Sequence, residues 1–226
     1  MGFGILSAAH VRALRRGVAA AALALFGFLP SAASAHPHVW VVVKSRIEFA
    51  PDGKIKAIVH DWTFDEMYSS FATEGLAPKG QLVGREIFAP LAKQNAGGLA
   101  DLGYFTTLKI GGKPVEFGEV SDYWMEERPD HLVAFHVVMP LKAPTAPGKF
   151  SSLLVADPEY FIDFGFDDHD AVSLGDAPKG CSIGITKPAA LAGDDKKKLD
   201  ESVFTNMSPG AGFGFKMAPR AMLACP

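Results

Sequence analysis

The residues best suited to metal chemistry are two histidines separated by one proline, His36-Pro37-His38. If the chain is cut after Ala35, His36 offers two nitrogens, its α-amine and its imidazole Nδ1. In an extended chain the side chain of His38 points the same way as that of His36, so three nitrogen donors suited to Zn, Cu or Ni meet near one point. Pro37 has no backbone N–H, which excludes planar binding of Cu(II) or Ni(II) through deprotonated amides. The alternative is a frayed remnant of an export signal.

The first 35 residues have the three-part pattern of a secretory signal peptide. Arg12, Arg15 and Arg16 form a basic region, residues 17–29 are apolar, and residues 33–35 read Ala-Ser-Ala, a cleavage-site pattern. This apolar run is shorter than the roughly 20 residues that span a bilayer. We therefore predict that residues 1–35 are cleaved and that the protein is periplasmic, with an uncleaved membrane anchor as the alternative.

Removal of this segment makes the remaining chain more acidic. The whole sequence has a formal net charge of −3, and residues 1–35 contain three arginines and no acidic residue, so the remainder carries −6. Nucleic-acid binding requires a basic surface. We therefore expect no nucleic-acid partner, and an acidic surface suits a protein that handles cations.

A β-hairpin is predicted to position His38. Two strand-like runs, residues 38–49 and 55–64, flank Asp52-Gly53, a dipeptide that strongly favours a two-residue hairpin turn. This turn pairs residues whose numbers sum to 105, which gives one apolar and one mostly polar face. Because a shift of one residue would exchange the faces, the pattern fixes the register.

The same register separates candidate ligands from core residues. Asp65 falls diagonal to His38 on the polar face and is a candidate for completing a metal site. His60 falls opposite Ser45 on the apolar face, more than 20 Å from His38 at about 3.3 Å per residue. We predict that His60 is a hydrogen-bonded core histidine rather than a ligand.

A second group of candidate ligands lies in the acidic segment 157–170. Asp163 alternates with apolar residues along a predicted strand, and His169 follows it among aspartates. Carboxylate and imidazole groups together suit a divalent transition metal, so both residues are candidates for the metal shell. The alternative is a polar turn after a strand. His131 and His136 fall on opposite faces of another predicted strand and cannot bind one ion together.

The rest of the sequence favours a mainly β fold. Short strand-like runs alternate with turn signals from residue 105 to residue 185, and two helical segments, 65–73 and 85–102, precede them. We predict an antiparallel β-sandwich-like domain over residues 36–187, with a helical insertion. Residues 188–226 are predicted to be an extension, an irregular C-terminal tail rich in Gly, Met, Pro and Phe.

The two cysteines, Cys181 and Cys225, are predicted to pair. An oxidising compartment favours disulfides, and neither residue belongs to the closely spaced pairs typical of thiolate metal sites. The bond would tie the C-terminal extension back to the domain.

The sequence lacks the common signatures of catalysis. It contains no G-x-S-x-G, H-E-x-x-H or P-loop motif, and both cysteines are committed to the predicted disulfide. We therefore predict no catalytic residue, no enzymatic activity and no polymer substrate. A terminal histidine on a secreted β-sandwich also resembles the copper monooxygenases of polysaccharides, so a copper histidine-brace oxidase, using His131, His136 or His169, is the less favoured alternative.

Four segments together resemble an uncharacterised bacterial family described as the periplasmic component of an ABC-type transport system. They are Ala35–Trp40, Trp62–Ser69, Tyr104–Thr106 and Asp157–Phe161. The resemblance extends from the predicted mature N-terminus to about residue 187. It implies a periplasmic location and an association with the transport of nickel, cobalt or zinc.

These observations predict a periplasmic metal-binding accessory protein of a transition-metal transport system. His36 and His38 would be the primary ligands of a divalent Zn, Ni, Co or Cu ion, with Asp65, Asp163 and His169 as further candidates. The partner would be a membrane metal transporter or permease. A metal-free periplasmic binding module that docks on a membrane partner is the main alternative.

Overall fold

The computed structural model describes residues 38–78, 80–205 and 207–226. The predicted signal peptide and the candidate ligand His36 lie outside the described residues. In chain order the elements are β1 (Val39–Phe49), β2 (Ile55–Phe64), α1 (Glu66–Thr73), α2 (Arg85–Gly98), β3 (Thr106–Ile110), β4 (Lys113–Pro114), β5 (Asp122–Glu127), β6 (Val133–Thr145), β7 (Phe150–Val155), β8 (Ile162–Phe166), β9 (Val172–Gly175), β10 (Ser182–Thr186), α3 (Gly193–Thr205), α4 (Gly214–Met217) and β11 (Arg220–Ala224). In the part of the chain described, no helix is long and apolar enough to cross a membrane.

The first hairpin has the predicted register. Val41 pairs with Phe64 and Lys44 with Asp61, so paired numbers sum to 105 up to a shift near Phe49. Gly53 in the turn has a φ of +78°, a conformation that glycine adopts without strain. The turn residues and the hydrophobic alternation therefore predicted this hairpin and its register correctly.

The strands form two sheets, as a sandwich-like fold requires. Sheet A has the order β5-β6-β2-β1-β8, with β9 also paired to β1, and sheet B has the order β10-β11-β7-β3-β4. Both sheets are mainly antiparallel, but β8 and β9 pair with β1 in parallel. The fold is mainly β and sandwich-like, as predicted, with the helices α1 and α2 inserted between β2 and β3.

The end of the chain differs from the predicted irregular tail. Residues 220–224 form β11, which lies inside sheet B between β10 and β7. Ala221 and Leu223 alternate with more exposed neighbours and are almost completely buried. The Gly- and Pro-rich stretch before β11 conceals this short alternating run, and its partners lie far away in the sequence.

Helix α2 covers one half of the inner face of sheet A, and sheet B covers the other half. Phe88, Ala92 and Ala96 form the buried stripe of α2, at the spacing of four residues that places side chains on one helix face. The helix continues through Pro90 and ends at Gly98, before the predicted end at residue 102. Two hydrophobic clusters result, one under α2 and one between the sheets.

The predicted disulfide between Cys181 and Cys225 is present and lies beside the paired strands β10 and β11. Replacing both cysteines by alanine is expected to lower the free energy of unfolding by about 3 kcal/mol, because the bond restricts the unfolded chain. Urea denaturation of both proteins, with and without dithiothreitol, measures this loss. Equal midpoints for the oxidised and reduced wild-type protein would contradict the prediction.

Candidate metal site at the start of the first strand

His38 is anchored just before β1. Its backbone N–H donates to the carbonyl oxygen of Phe161 at 2.8 Å, and its ring stacks on the Phe161 ring with 5.9 Å between centroids. The side chain lies on the outer, solvent side of sheet A, which it shares with Trp40 in the alternation of β1. This arrangement fixes the position and direction of one candidate ligand.

A buried carboxylate in turn fixes Phe161. Asp157 accepts three backbone hydrogen bonds, from Glu159 at 3.0 Å, Phe161 at 2.8 Å and Ile162 at 3.1 Å. Its side chain is almost entirely buried. Backbone donors bonded to a carboxylate form strong, directional bonds. The turn that begins at Asp157 is therefore the rigid base on which His38 rests.

The C-terminal segment packs against this same turn. The Ser208 hydroxyl donates to the Glu159 carbonyl oxygen at 2.9 Å and lies 2.7 Å from its carboxylate. Gly214 approaches the Asp157 carbonyl so closely that an added Cβ would collide with the backbone there. The tail thus supports the base of the candidate site.

Asp65 lies near His38 but already has a structural role. Its Oδ1 accepts from the backbone N–H of Tyr68 at 2.9 Å and caps the N-terminus of α1. Its Oδ2 accepts from the N–H of Trp40 at 2.8 Å. An aspartate immediately before a helix is a preferred N-cap, and that signal was available in the sequence.

Asp163 lies on the same outer face as His38. It pairs with Trp40 across the parallel β8–β1 contact, and parallel partners project to the same side of a sheet. Burial raises the pKa of the Asp163 carboxyl, and a side-chain hydrogen bond with Tyr160 partly offsets this rise. Burial, reinforced by Asp163, raises the pKa of Tyr160 to about 12. A cation beside Asp163 would favour its ionised form.

His169 does not join this group. It lies in the loop between Phe166, which pairs with Val43, and Val172, which pairs with Ser45. Its loop therefore runs beside Lys44, about 20 Å along β1 from His38 at 3.3 Å per residue. The structure brings His38, Asp65 and Asp163 to one end of β1 and leaves His169 far from them.

His169 instead lines a polar pocket of about 470 Å³ on the outer face of sheet A. There the ring of His136 stacks on Trp124, with 4.6 Å between centroids. His136 Nδ1 lies 3.4 Å from Asp61 Oδ2, and its Nε2 lies 3.3 Å from Glu126 Oε1 without forming a hydrogen bond. We refer to His136, Trp124, Asp61 and Glu126 as the His136 cluster.

The sequence did not reveal this cluster, because it depends on the pairing of β5 with β6 and of β6 with β2. The predicted strand that contained both His131 and His136, on opposite faces, also begins too early. His131 has a φ of +63° and lies in the turn before Val133, the first residue of β6, so it does not share a strand with His136. Its Nδ1 lies 2.8 Å from Glu127 Oε1.

His60 is a core histidine, as the hairpin register predicted. It is fully buried, with Nδ1 at 2.8 Å from the Ser45 hydroxyl and Nε2 at 3.2 Å from the Thr106 hydroxyl. Ser45 belongs to sheet A and Thr106 to sheet B, so the imidazole bridges the two sheets. Burial lowers the pKa of His60 to about 3, which keeps the ring neutral.

Within residues 38–78, 80–205 and 207–226, no group of three or more His, Cys, Asp or Glu side chains is arranged to hold a metal ion. The described part of the candidate site supplies His38 and the nearby carboxylate of Asp163.

Comparison with known proteins identifies the family. Residues 21–225 match the family described as "Protein of unknown function (DUF1007)". The chain belongs to this family. The DUF1007 match extends through α3 and α4 into β11, so the C-terminal segment, including Cys225, is part of the family domain. No curated protein matches the sequence.

Proposed function

We propose that the protein binds a divalent transition metal at the start of β1 and delivers it to a membrane metal transporter or permease. Zn, Ni, Co and Cu are the metals that imidazole nitrogen and carboxylate oxygen suit. The delivery would take place in the periplasm. The disulfide fits an exported protein, since such bonds persist in oxidising compartments.

The observation that carries the proposal is the anchoring of His38. A ligand held by a backbone hydrogen bond and a ring contact loses little conformational freedom when a metal binds. His36 precedes it by two residues and adds an imidazole and, after cleavage at Ala35, an α-amine. Asp163 on the neighbouring strand offers a carboxylate that a cation would stabilise.

Metal titration of the mature protein tests the proposal. Mass spectrometry first establishes the N-terminus, and isothermal titration with Zn, Ni, Co and Cu then gives the affinities. We expect the double variant His36→Ala, His38→Ala to lose about a hundredfold or more in affinity, because two imidazole donors are removed. The control is His169→Ala, which removes a histidine about 20 Å along β1 from the site and should leave the affinity unchanged.

Two results would contradict metal binding at this position. One is a wild-type affinity weaker than about 1 μM for all four metals. The other is full affinity in the His36, His38 variant.

A metal-free docking module is the second candidate function, and an exposed apolar patch favours it. Trp40, Val42 and Phe161 remain 44%, 47% and 39% exposed on the outer face of sheet A. Exposed apolar residues grouped together often mark protein contact sites. In this case the His36, His38 variant would retain partner binding, whereas Trp40→Ser with Val42→Ser would abolish it.

The positions of His136 and His169 do not favour a copper histidine-brace oxidase. Such a site needs a second imidazole beside the terminal one, from His131, His136 or His169. His136 pairs with Asp61, which pairs with Lys44, about 20 Å along the strand from His38. His169 lies at the same distance along β1.

A further inference from the structure

Strand β10 leaves one edge of sheet B open. It pairs with β11 on one side, and no described strand pairs with it on the other side. The backbone N–H and C=O groups along an unpaired edge can bond to a further strand. This open edge is therefore a surface on which another chain can extend sheet B.

The other edge strands of the two sheets contain features that oppose such pairing. β5 has Asp122, Glu126 and Glu127 within its six residues. β4 consists only of Lys113–Pro114, and β8 contains Asp163. β9, which lies beside β1, has only four residues. Charged side chains, proline and short length are the features by which edge strands avoid accepting another strand.

β10 has the sequence Ser-Ile-Gly-Ile-Thr, which contains no charge and no proline. The pattern is the same in both directions, with an isoleucine on each side of Gly184 and a small hydroxyl residue at each end. When two copies of β10 lie antiparallel with Gly184 opposite Gly184, isoleucine lies opposite isoleucine and hydroxyl opposite hydroxyl. A twofold symmetric interface requires a surface that is complementary to itself. The sequence of β10 meets this requirement.

Ile185 is the apolar side chain that such pairing would cover. It pairs with Ala221, which is buried between the two sheets, and it points to the same inner side. Ile185 is nevertheless 42% exposed, because no described strand follows β10 in sheet B. In the antiparallel arrangement Ile183 of a second copy lies directly opposite Ile185. Side chains that face each other across two strands in this way stabilise the pairing.

Charge also favours this edge for contact between two copies. The chain is acidic, so two copies repel each other over much of their surfaces. An uncharged strand allows them to approach without like charges directly opposite each other. The first charged residue after β10 is Lys187. In this register it falls opposite Cys181 of the other copy, about 20 Å along the strand from the second Lys187.

We propose that the protein forms a twofold symmetric dimer in which β10 pairs with β10 of a second copy, centred on Gly184. The two five-stranded sheets then form one continuous sheet. Because one short strand buries less surface than a permanent interface, we expect a reversible dimer with a dissociation constant of about 10–100 μM. His38 belongs to sheet A, so the dimer does not depend on the proposed metal binding.

Sedimentation velocity of the mature protein tests the dimer. We expect the average mass to rise from one copy to two between about 1 and 500 μM. Gly184→Asp places two carboxylates opposite each other and should weaken the dimer about tenfold. A Cβ at Gly184 meets no described atom within 4 Å, so the melting temperature should stay the same. Gly97→Asp adds the same charge at another open glycine, on α2, and should leave the association unchanged.

A charge exchange shows whether position 184 faces itself. Gly184→Lys should weaken the dimer as Gly184→Asp does, because two like charges again lie opposite each other. An equimolar mixture of these two variants should associate at least as strongly as the wild-type protein, since each aspartate then faces a lysine. The mixture also shows that both variants are folded.

Cross-linking tests the register independently. In Gly184→Cys the two new thiols belong to opposite residues, whose Cα atoms lie about 4.5–5.5 Å apart in an antiparallel pair, within the range of a disulfide. Thr186→Cys is the control, because residue 186 faces Ser182 of the other copy and its two thiols lie about 13 Å apart. Mild oxidation should give a covalent dimer of Gly184→Cys and none of Thr186→Cys.

Three results would overturn the proposal. The first is a wild-type protein that remains monomeric over the whole concentration range. The second is association of Gly184→Asp equal to that of the wild-type protein, which would locate the interface elsewhere. The third is an equimolar mixture of Gly184→Asp and Gly184→Lys that associates no better than either variant alone.

Discussion

Lowering the pH from 7.5 to 4.5 is expected to reduce the free energy of unfolding by about 3 kcal/mol through His60 alone. The folded protein keeps this imidazole neutral down to its lowered pKa of about 3, whereas the unfolded chain protonates it below its ordinary value of 6.5. Between these two values the unfolded state binds one more proton, so stability rises with pH and falls on acidification. Each pH unit in that window contributes about 1.4 kcal/mol.

Urea denaturation at a series of pH values measures this slope. His60→Gln should be less stable at pH 7.5, because the bridge between Ser45 and Thr106 is disturbed, but its stability should depend less on pH. Ser45→Ala is the control, since it disturbs the same bridge but keeps the imidazole of His60, and it should retain the slope. The same pH dependence in His60→Gln and in the wild-type protein would show that another group controls acid stability.

Replacing Asp157 by alanine is expected to destabilise the protein by about 5 kcal/mol. The substitution leaves three backbone N–H groups without their acceptor, and hydrogen bonds to a charged group are worth about 1.5–3 kcal/mol each. Because the turn packs against the C-terminal segment around Gly214, its loss also loosens that segment. Chemical denaturation of the variant and the wild-type protein gives the difference directly.

Two further variants help to interpret the loss of stability in Asp157→Ala. Asp157→Asn keeps one carboxamide oxygen and should lose an intermediate amount of stability. Asp101→Ala removes an exposed aspartate from a turn and should change the free energy of unfolding by less than about 0.5 kcal/mol. A loss below about 1 kcal/mol in Asp157→Ala would mean that water replaces the carboxylate in this turn.

The sequence best predicted those elements whose structure depends on residues close together in the chain. Asp52-Gly53 and the alternation around it determined the first hairpin, its register and the burial of His60. The parallel pairing of β8 and β9 with β1 was not predicted, because these strands are separated by more than a hundred residues and nothing local selects the partner. The same reason explains why β11 was taken for part of an irregular tail.

The candidate metal site shows the same difference between local structure, which was predicted, and long-range pairing, which was not. The alternation along β8 correctly placed Asp163 on the face opposite to Ile162 and Phe164, but only the parallel pairing with Trp40 relates it to His38. The position of His169 depends on the path of the loop after β8, which could not be predicted from the sequence. The His136 cluster could be predicted only from the pairing register of β2, β5 and β6 together.

The position of β11 has a consequence for biosynthesis. A ribosome makes β7 and β10 before β11, yet each of these strands pairs with β11 and not with the other. Until residues 220–224 arrive, both strands expose unpaired backbone groups that can join a foreign strand.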